Sequence, residues 1–105
     1  LAYEFNKRGG VGIISVTANI APKLCSDFQK CSKSDTDNEI KEAERLDQML
    51  QPLHKSLFIE SNPAPVKYAA KLLDLCEDEV RLPLVKIKKE TQVVVKKALE
   101  TAKLI

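Results

Sequence analysis

The stretch that most constrains the fold is "RGGVGIISVTANIAP", from Arg8 to Pro22. Its central part, from Val11 to Thr17, is rich in β-branched residues and follows a group of glycines, which predicts a β-strand. Both alternating faces are apolar, so this strand is expected to be covered on both sides, as in a parallel sheet. No other stretch of the chain is a convincing strand. The sequence therefore predicts a strand whose neighbours it does not contain.

Three glycines, Gly9, Gly10 and Gly12, surround the start of the predicted strand. A dinucleotide-binding loop needs its glycines after a strand and at the start of a helix, where backbone amides converge on phosphate. The order here is the reverse. The glycines therefore favour a tight turn leading into the strand over a phosphate site.

The next part of the sequence predicts a helix and then a longer one. Pro22 occupies a typical first helical position, and apolar residues at helical spacing extend that helix to Cys31. The polar residues 32–38 separate it from a long amphipathic helix. In that second helix, Pro52 predicts a kink or a break near Gln51, because proline removes a backbone hydrogen bond.

The last part predicts two shorter helices. Asn62 and Pro63 mark a turn, Pro65 begins the next helix, and Pro83 lies in a loop before a final helix from about Glu90. The apolar positions at helical spacing are expected to form the core, and across all four helices they are Leu24, Cys25, Phe28, Cys31, Ile40, Ala43, Leu46, Leu50, Leu53, Leu57, Val66, Ala69, Ala70, Leu73, Val95, Ala98, Leu99 and Ala102.

Composition indicates one soluble globular domain and no strongly charged partner. The chain has 105 residues, of which 44% are hydrophobic and 30% are charged, and its net charge is only +2. Such a charge favours neither nucleic acid nor an anionic membrane as a partner. No apolar run approaches the roughly 20 residues that cross a bilayer, and no export signal is recognisable.

The residues by themselves predict no catalytic centre and no metal or cofactor. The three cysteines, Cys25, Cys31 and Cys76, lack metal-binding or redox spacing, which favours reduced structural thiols and a cytoplasmic location. His54 has no second ligand at helical spacing, so a surface or half-buried structural histidine is expected. Spacing identifies no Ser/His/Asp set and no activated lysine. The chemistry-bearing residues thus indicate only part of an α/β enzyme with a helical extension.

Three motifs carry a resemblance to a known family: "GGVGIISVTANIAPKL", "PLHKSLFIESNPAPVKYAAKLL" and "VRLPLV". Over nearly its whole length the chain resembles the C-terminal part of the 4-hydroxy-tetrahydrodipicolinate synthase (dihydrodipicolinate synthase) family of pyruvate-dependent class I aldolases or lyases. The resemblance implies a C-terminal fragment of a (β/α)8 TIM barrel. Residues 1–34 would form the last β/α unit, and residues 35–105 a small all-α C-terminal helical domain. The missing strands would then precede Leu1.

The resemblance also implies a function for the complete enzyme. Such enzymes condense pyruvate with L-aspartate 4-semialdehyde through a lysine Schiff base, in lysine and diaminopimelate biosynthesis, and the parent is expected to be a homo-oligomer. The Schiff-base lysine belongs to an earlier strand, so this chain is expected to be inactive alone. One pyruvate-binding residue carries over, Ile14, through its backbone carbonyl. Gly12, Ser15 and Asn19 would shape the rim.

The sequence departs from the family pattern at several positions. The polar linker is longer than usual, Lys86 replaces a proline, and Asp74 stands where a glycine commonly ends a helix. Aspartate tolerates the left-handed conformation required there, so that helix end is expected to persist. The departures leave open a non-catalytic helical remnant or interaction module from a split or decayed gene. Another pyruvate-dependent aldolase of the same superfamily also remains possible.

Overall fold

The computed structural model describes residues 1–105. It contains five α-helices and one short 3₁₀ turn, and no β-strand. The helices are α1 (Ala2–Lys7), α2 (Pro22–Ser32), α3 (Asp37–Ser56), α4 (Ala64–Leu72) and α5 (Lys89–Thr101), and the 3₁₀ turn is Thr17–Asn19. None of the helices is both long enough and apolar enough to cross a membrane.

The predicted strand from Val11 to Thr17 is wrong for this chain as it stands. Residues 11–16 have no regular secondary structure, and Thr17 begins the 3₁₀ turn. A strand exists only through hydrogen bonds to a neighbouring strand, and the chain supplies no such neighbour. The α/β expectation is therefore corrected to an all-helical structure.

Helix α3 is the centre of the molecule, and α2 and α5 both pack against it. Its apolar residues recur every three or four positions, so Leu46, Leu50 and Leu53 lie on one buried face. Burying a leucine side chain contributes roughly 1.5–3 kcal/mol, so this face is a major source of stability. The helix continues through Pro52, and the break that proline suggested does not occur.

A single core joins the N-terminal and C-terminal parts of the chain. Helix α4 packs against α5, which in turn packs against α3. The buried side chains of this core are Ile20, Ala21, Phe28, Leu46, Leu50, Leu53, Leu57, Ala64, Val66, Ala69, Ile87, Val95, Ala98, Leu99 and Ala102. Most of the apolar positions expected from helical spacing are among them, which confirms the four predicted helices.

The end of α4 has the geometry expected of its unusual aspartate. Asp74 has a φ of 59°, and the amide of Leu75 donates to the carbonyl of Ala70 at 2.9 Å. The amide of Asp74 itself donates to Lys71 at 3.0 Å. These two bonds define a Schellman motif, so the aspartate ends the helix in place of glycine.

The irregular connection between α4 and α5 is held by charged side chains. The carboxylate of Asp78 lies 3.2 Å from the ammonium groups of both Lys71 and Lys86. Burial raises the pKa of Asp78, but the two lysines more than offset this and leave the pKa below its usual range. Glu60 accepts a hydrogen bond from the amide of Lys88 at 2.9 Å, which ties the start of α5 to the loop after α3.

Helix α1 is an element that the sequence analysis did not predict. Its Asn6 is buried and donates to Ser32 at 2.8 Å and to Gln29 at 2.9 Å, both on α2. The glycine turn follows, and Gly9 has a φ of 95°, which few other residues adopt. The chain then enters residues 11–16, which have no regular secondary structure.

Candidate functional site

Four of the residues singled out from the sequence, Gly12, Ile14, Ser15 and His54, lie around one cleft of about 620 Å³. Residues 12–17 form one wall, and α1, the C-terminal half of α3 and Phe58 just after it form the others. The lining residues are Leu1, Ala2, Phe5, Gly12, Ile13, Ile14, Ser15, Val16, Thr17, Gln51, His54 and Phe58. The cleft therefore joins the N-terminal part of the chain to the long central helix.

The open side of the cleft is an exposed apolar surface. Ile14 is fully exposed, with 106% relative accessibility, and Val11 is exposed to 88%. Leu1, Phe5 and Phe58 are more than half exposed on the same cleft or beside it. Contiguous exposed apolar residues commonly mark a surface that another polypeptide covers.

The backbone amides and carbonyls of residues 11–16 also make few hydrogen bonds to other backbone groups. No amide from Val11 to Val16 donates to a backbone carbonyl, and the carbonyls of Gly12, Ile13 and Ile14 accept no backbone amide. The Val11 carbonyl accepts a hydrogen bond from the Lys33 ammonium group. Unpaired backbone groups beside apolar side chains are what a strand presents when its neighbours are absent.

On the other side, residues 13–15 lie near α2. Ile13 is less exposed than Ile14, at 41%, and lines a second cleft together with Ser15 and Cys25. Burial raises the pKa of the Cys25 thiol, and a hydrogen bond to Ser15 only partly opposes that shift. Cys25 is therefore held as a neutral thiol. All three cysteines are free.

A short hydrogen bond crosses the inner end of the cleft. The Thr17 hydroxyl oxygen lies 2.7 Å from Nδ1 of His54. Thr17 is buried, whereas His54 is half-buried on α3. A surface or half-buried histidine was predicted from the lack of a second metal ligand at helical spacing. Burial lowers the pKa of His54, although the negative charge of Asp47 acts in the opposite direction. The imidazole is thus predominantly neutral at pH 7.

The other residues named from the sequence have different positions. Gly12 lines the cleft, and a β-carbon added to it would meet nothing within 4 Å. Asn19 does not line the cleft, and its side-chain amide donates to the Val16 carbonyl at 3.0 Å. The cleft has no lysine in its wall, and no group of three or more His, Cys, Asp and Glu side chains is arranged to hold a metal ion.

Sequence reasoning missed the contribution of α3 to this cleft. Gln51 and His54 line it from α3, and Phe58 lines it from the turn just after that helix, which ends at Ser56. The three-residue spacing of Gln51 and His54 places them on one face of a helix, a signal that the sequence contained. Nothing in the sequence indicated that this face would meet Thr17, because the two segments are 37 residues apart.

Comparison with known proteins identifies the family to which this chain belongs. The family model described as the Dihydrodipicolinate synthetase family matches residues 1–102. The chain belongs to this family. The resemblance noted in the three sequence motifs is thereby confirmed over almost the whole chain.

Relatives within the dihydrodipicolinate synthetase family are similar over most or all of this chain. A 4-hydroxy-tetrahydrodipicolinate synthase from Pelagibacter ubique is 68% identical over 104 residues, which are 99% of this chain and 36% of that protein. Another, from Parvibaculum lavamentivorans, is 56% identical over 84 residues, 80% of this chain and 28% of that protein. The chain thus spans about a third of the length of the relatives it matches.

Solved structures of family members superimpose on the chain with the same partial coverage. The chloride-inhibited dihydrodipicolinate synthase from Acinetobacter baumannii, complexed with pyruvate, is 37% identical with a TM-score of 0.87, over 99% of this chain and 35% of that one. The enzyme from Cyanidioschyzon merolae with lysine bound is 28% identical with a TM-score of 0.88, over 100% of this chain and 35% of that one. The helical arrangement therefore matches about one third of a complete family structure.

Proposed function

We propose that this chain is the C-terminal third of a 4-hydroxy-tetrahydrodipicolinate synthase. Residues 1–34 supply the last strand and helix of its (β/α)8 barrel, and residues 35–105 form its C-terminal helical domain. The complete enzyme is a cytoplasmic lyase and a homo-oligomer. It condenses pyruvate with L-aspartate 4-semialdehyde, in lysine and diaminopimelate biosynthesis.

The observation that carries this proposal is the unpaired state of residues 11–14. Their backbone makes no backbone hydrogen bonds and the Ile14 side chain is fully exposed, while the rest of the chain has a well-formed core. Pairing with a neighbouring strand would satisfy the free amides and carbonyls, and burial of each large apolar side chain would contribute roughly 1.5–3 kcal/mol. The absent two thirds of a family member are a suitable partner for this surface.

Ile14 is the residue of this chain that we assign to pyruvate. Active sites of such barrels lie at the C-terminal ends of the strands, and Ile14 is near the C-terminal end of the proposed one. Its carbonyl accepts no backbone amide and is free to face a ligand. Gly12 and Ser15 lie beside it on the cleft wall, and Asn19 holds the turn that follows.

The Schiff-base lysine is assigned to the absent part of the enzyme. A nucleophilic lysine needs a desolvated position in the pocket that lowers its pKa, and no lysine of this chain lines the cleft. This chain is therefore expected to complete the pocket without performing the covalent step.

A hybrid protein tests the proposal directly. The part of the Pelagibacter ubique relative that precedes its match to this chain would be joined to Leu1. The expected result is condensation of pyruvate with L-aspartate 4-semialdehyde, together with a mass increase after borohydride treatment in the presence of pyruvate. The N-terminal part alone and the 105-residue chain alone are the controls, and neither is expected to show condensation.

The opposite outcome is equally definite. A hybrid that is folded and monodisperse but does not catalyse the condensation would contradict the proposal. Activity with pyruvate and a different aldehyde would indicate another aldolase of the superfamily. Loss of all activity with pyruvate would favour a non-catalytic interaction module.

A further inference from the structure

Thr17 is the first fully buried residue after residues 11–16. It is 1% exposed, and its carbonyl accepts hydrogen bonds from the amides of Ile20 at 3.1 Å and Ala21 at 2.9 Å. Residues 11–14, by contrast, make no backbone hydrogen bonds to each other or to the rest of the chain. The carbonyls of Ser15 and Val16 accept the amides of Ala18 and Asn19 in the same turn, so the position of Ile14 within this chain depends on how the turn that contains Thr17 is anchored.

The side chain of Thr17 is anchored to the helical part of the molecule. Its hydroxyl makes the 2.7 Å contact with Nδ1 of His54 and has no other hydrogen-bond partner. A buried hydroxyl left without a partner costs roughly 1–3 kcal/mol, so this contact has a strong energetic basis. With the imidazole neutral, Nδ1 accepts the hydroxyl proton when Nε2 carries the ring proton.

His54 is itself held in place by the core. It lies on α3 between Leu50, Leu53 and Leu57, which are all fully buried. The ring also lines the cleft in which Ile14 is exposed. A rigid helix is therefore connected, through one hydrogen bond, to the end of the segment that carries Ile14.

From this geometry we propose that Thr17 and His54 form a positioning pair that sets the Ile14 carbonyl for pyruvate binding. The inference rests on the proposed function and extends it to a residue of the helical domain. Neither side chain needs to touch pyruvate. Their role is to fix the backbone at the end of the proposed strand relative to helix α3.

The test uses the hybrid protein with substitutions at both positions. Thr17→Val removes the hydroxyl with little change of shape, and His54→Leu removes the acceptor. Each is expected to raise the KM for pyruvate by roughly 3–10-fold, the effect of one net hydrogen bond, with a smaller change in the KM for the aldehyde. The double variant is expected to be little worse than either single variant, because both remove the same contact.

Two conservative variants and one matched control separate positioning from stability. Thr17→Ser and His54→Asn keep a hydroxyl and an acceptor near the original atoms, so they are expected to restore most of the pyruvate affinity. Ser56→Ala removes another buried hydroxyl of α3, one that donates to the Leu53 carbonyl at 3.1 Å and does not line this cleft. It is expected to lower the thermal stability without changing the KM for pyruvate.

The proposal is overturned if Thr17→Val and His54→Leu lower the melting temperature but leave the KM for pyruvate at the value of the unsubstituted hybrid. Additive effects of the two substitutions on that KM would also overturn it, since independent residues do not form a pair. If Thr17→Val fails to fold, the comparison of His54→Leu with His54→Asn decides alone. An unsubstituted hybrid without activity contradicts the proposed function, and the proposed role of Thr17 and His54 is then rejected as well.

Discussion

Residues 11–16 and helix α3 both supply branched apolar side chains, but α3 buries its leucines whereas Val11 and Ile14 are exposed. Leu53 is 0% exposed, whereas Ile14 has an accessibility as large as that of an isolated residue. The backbone differs in the same way, because a helix forms its hydrogen bonds within itself and a strand depends on a neighbour. The comparison shows that the helices of this chain are complete by themselves, whereas residues 11–14 have no backbone partners.

The largest effect is expected from deleting apolar volume in α3. Leu53→Ala should lower the free energy of unfolding by about 2–5 kcal/mol, because it removes buried contacts and leaves a cavity. Urea unfolding of the 105-residue chain, followed by far-ultraviolet circular dichroism, measures the loss. An unchanged transition midpoint would show that α3 is not the centre of the core.

A smaller effect on stability is expected at the glycine turn before residues 11–16. A β-carbon on Gly10 would lie 2.3 Å from the ring of Phe5 and 2.7 Å from its carbonyl oxygen. Gly10→Ala should therefore displace α1 and cost about 1–3 kcal/mol of stability in the same urea measurement. Gly12→Ala is the matched control, because open space surrounds that position. Equal losses for both variants would contradict the packing of α1.

The pH dependence of stability should be weaker and traceable to His54. Burial lowers its pKa below the usual histidine value of about 6.5, so the unfolded chain takes up a proton that the folded chain resists. Stability from this source is fully present above about pH 6.5 and declines as the pH falls through the folded pKa. His54 is the only histidine, so one imidazole signal in a proton NMR titration reports its pKa.

The control for this pH dependence is the His54→Asn variant, which should lose the decline in stability below about pH 6.5. A titration of His54 at or above pH 6.5 would contradict its burial against Thr17. It would also require the sign of the pH dependence to be reversed.

The smallest effect on stability is expected from deleting apolar atoms in residues 11–16. Ile14→Ala should change the free energy of unfolding by less than about 0.5 kcal/mol in the 105-residue chain, since the side chain is fully exposed. It removes an aliphatic side chain as Leu53→Ala does, so the pair isolates burial as the variable. A loss close to that of Leu53→Ala would show that Ile14 belongs to the core.

The helices could be predicted because their information is local. Helical spacing placed Leu50 and Leu53 on one face of α3, and both are buried. Proline also marked the start of α2 correctly, and Asp74 ended α4 in the conformation expected of a glycine substitute. A kink or a break was predicted near Gln51 because of Pro52, and the helix is not broken there.

The cleft was less predictable because its parts are distant in sequence. Ile14 was named, but only through resemblance, and its pyruvate role stays a prediction. Thr17 and His54 come together across 37 positions, and no local pattern describes such a contact. Helix α1 was missed for a similar reason, since its six residues are held by contacts of Asn6 with α2.

The sequence by itself determined the family and the four longer helices, since motif order and helical periodicity are properties of the chain alone. It also predicted a strand from Val11 to Thr17, which this chain does not form. Tertiary structure decided that these residues remain unpaired here and that Thr17 meets His54. The physical reason is that helical hydrogen bonds close within a few residues, whereas strand pairing and side-chain contacts depend on which distant segments are present.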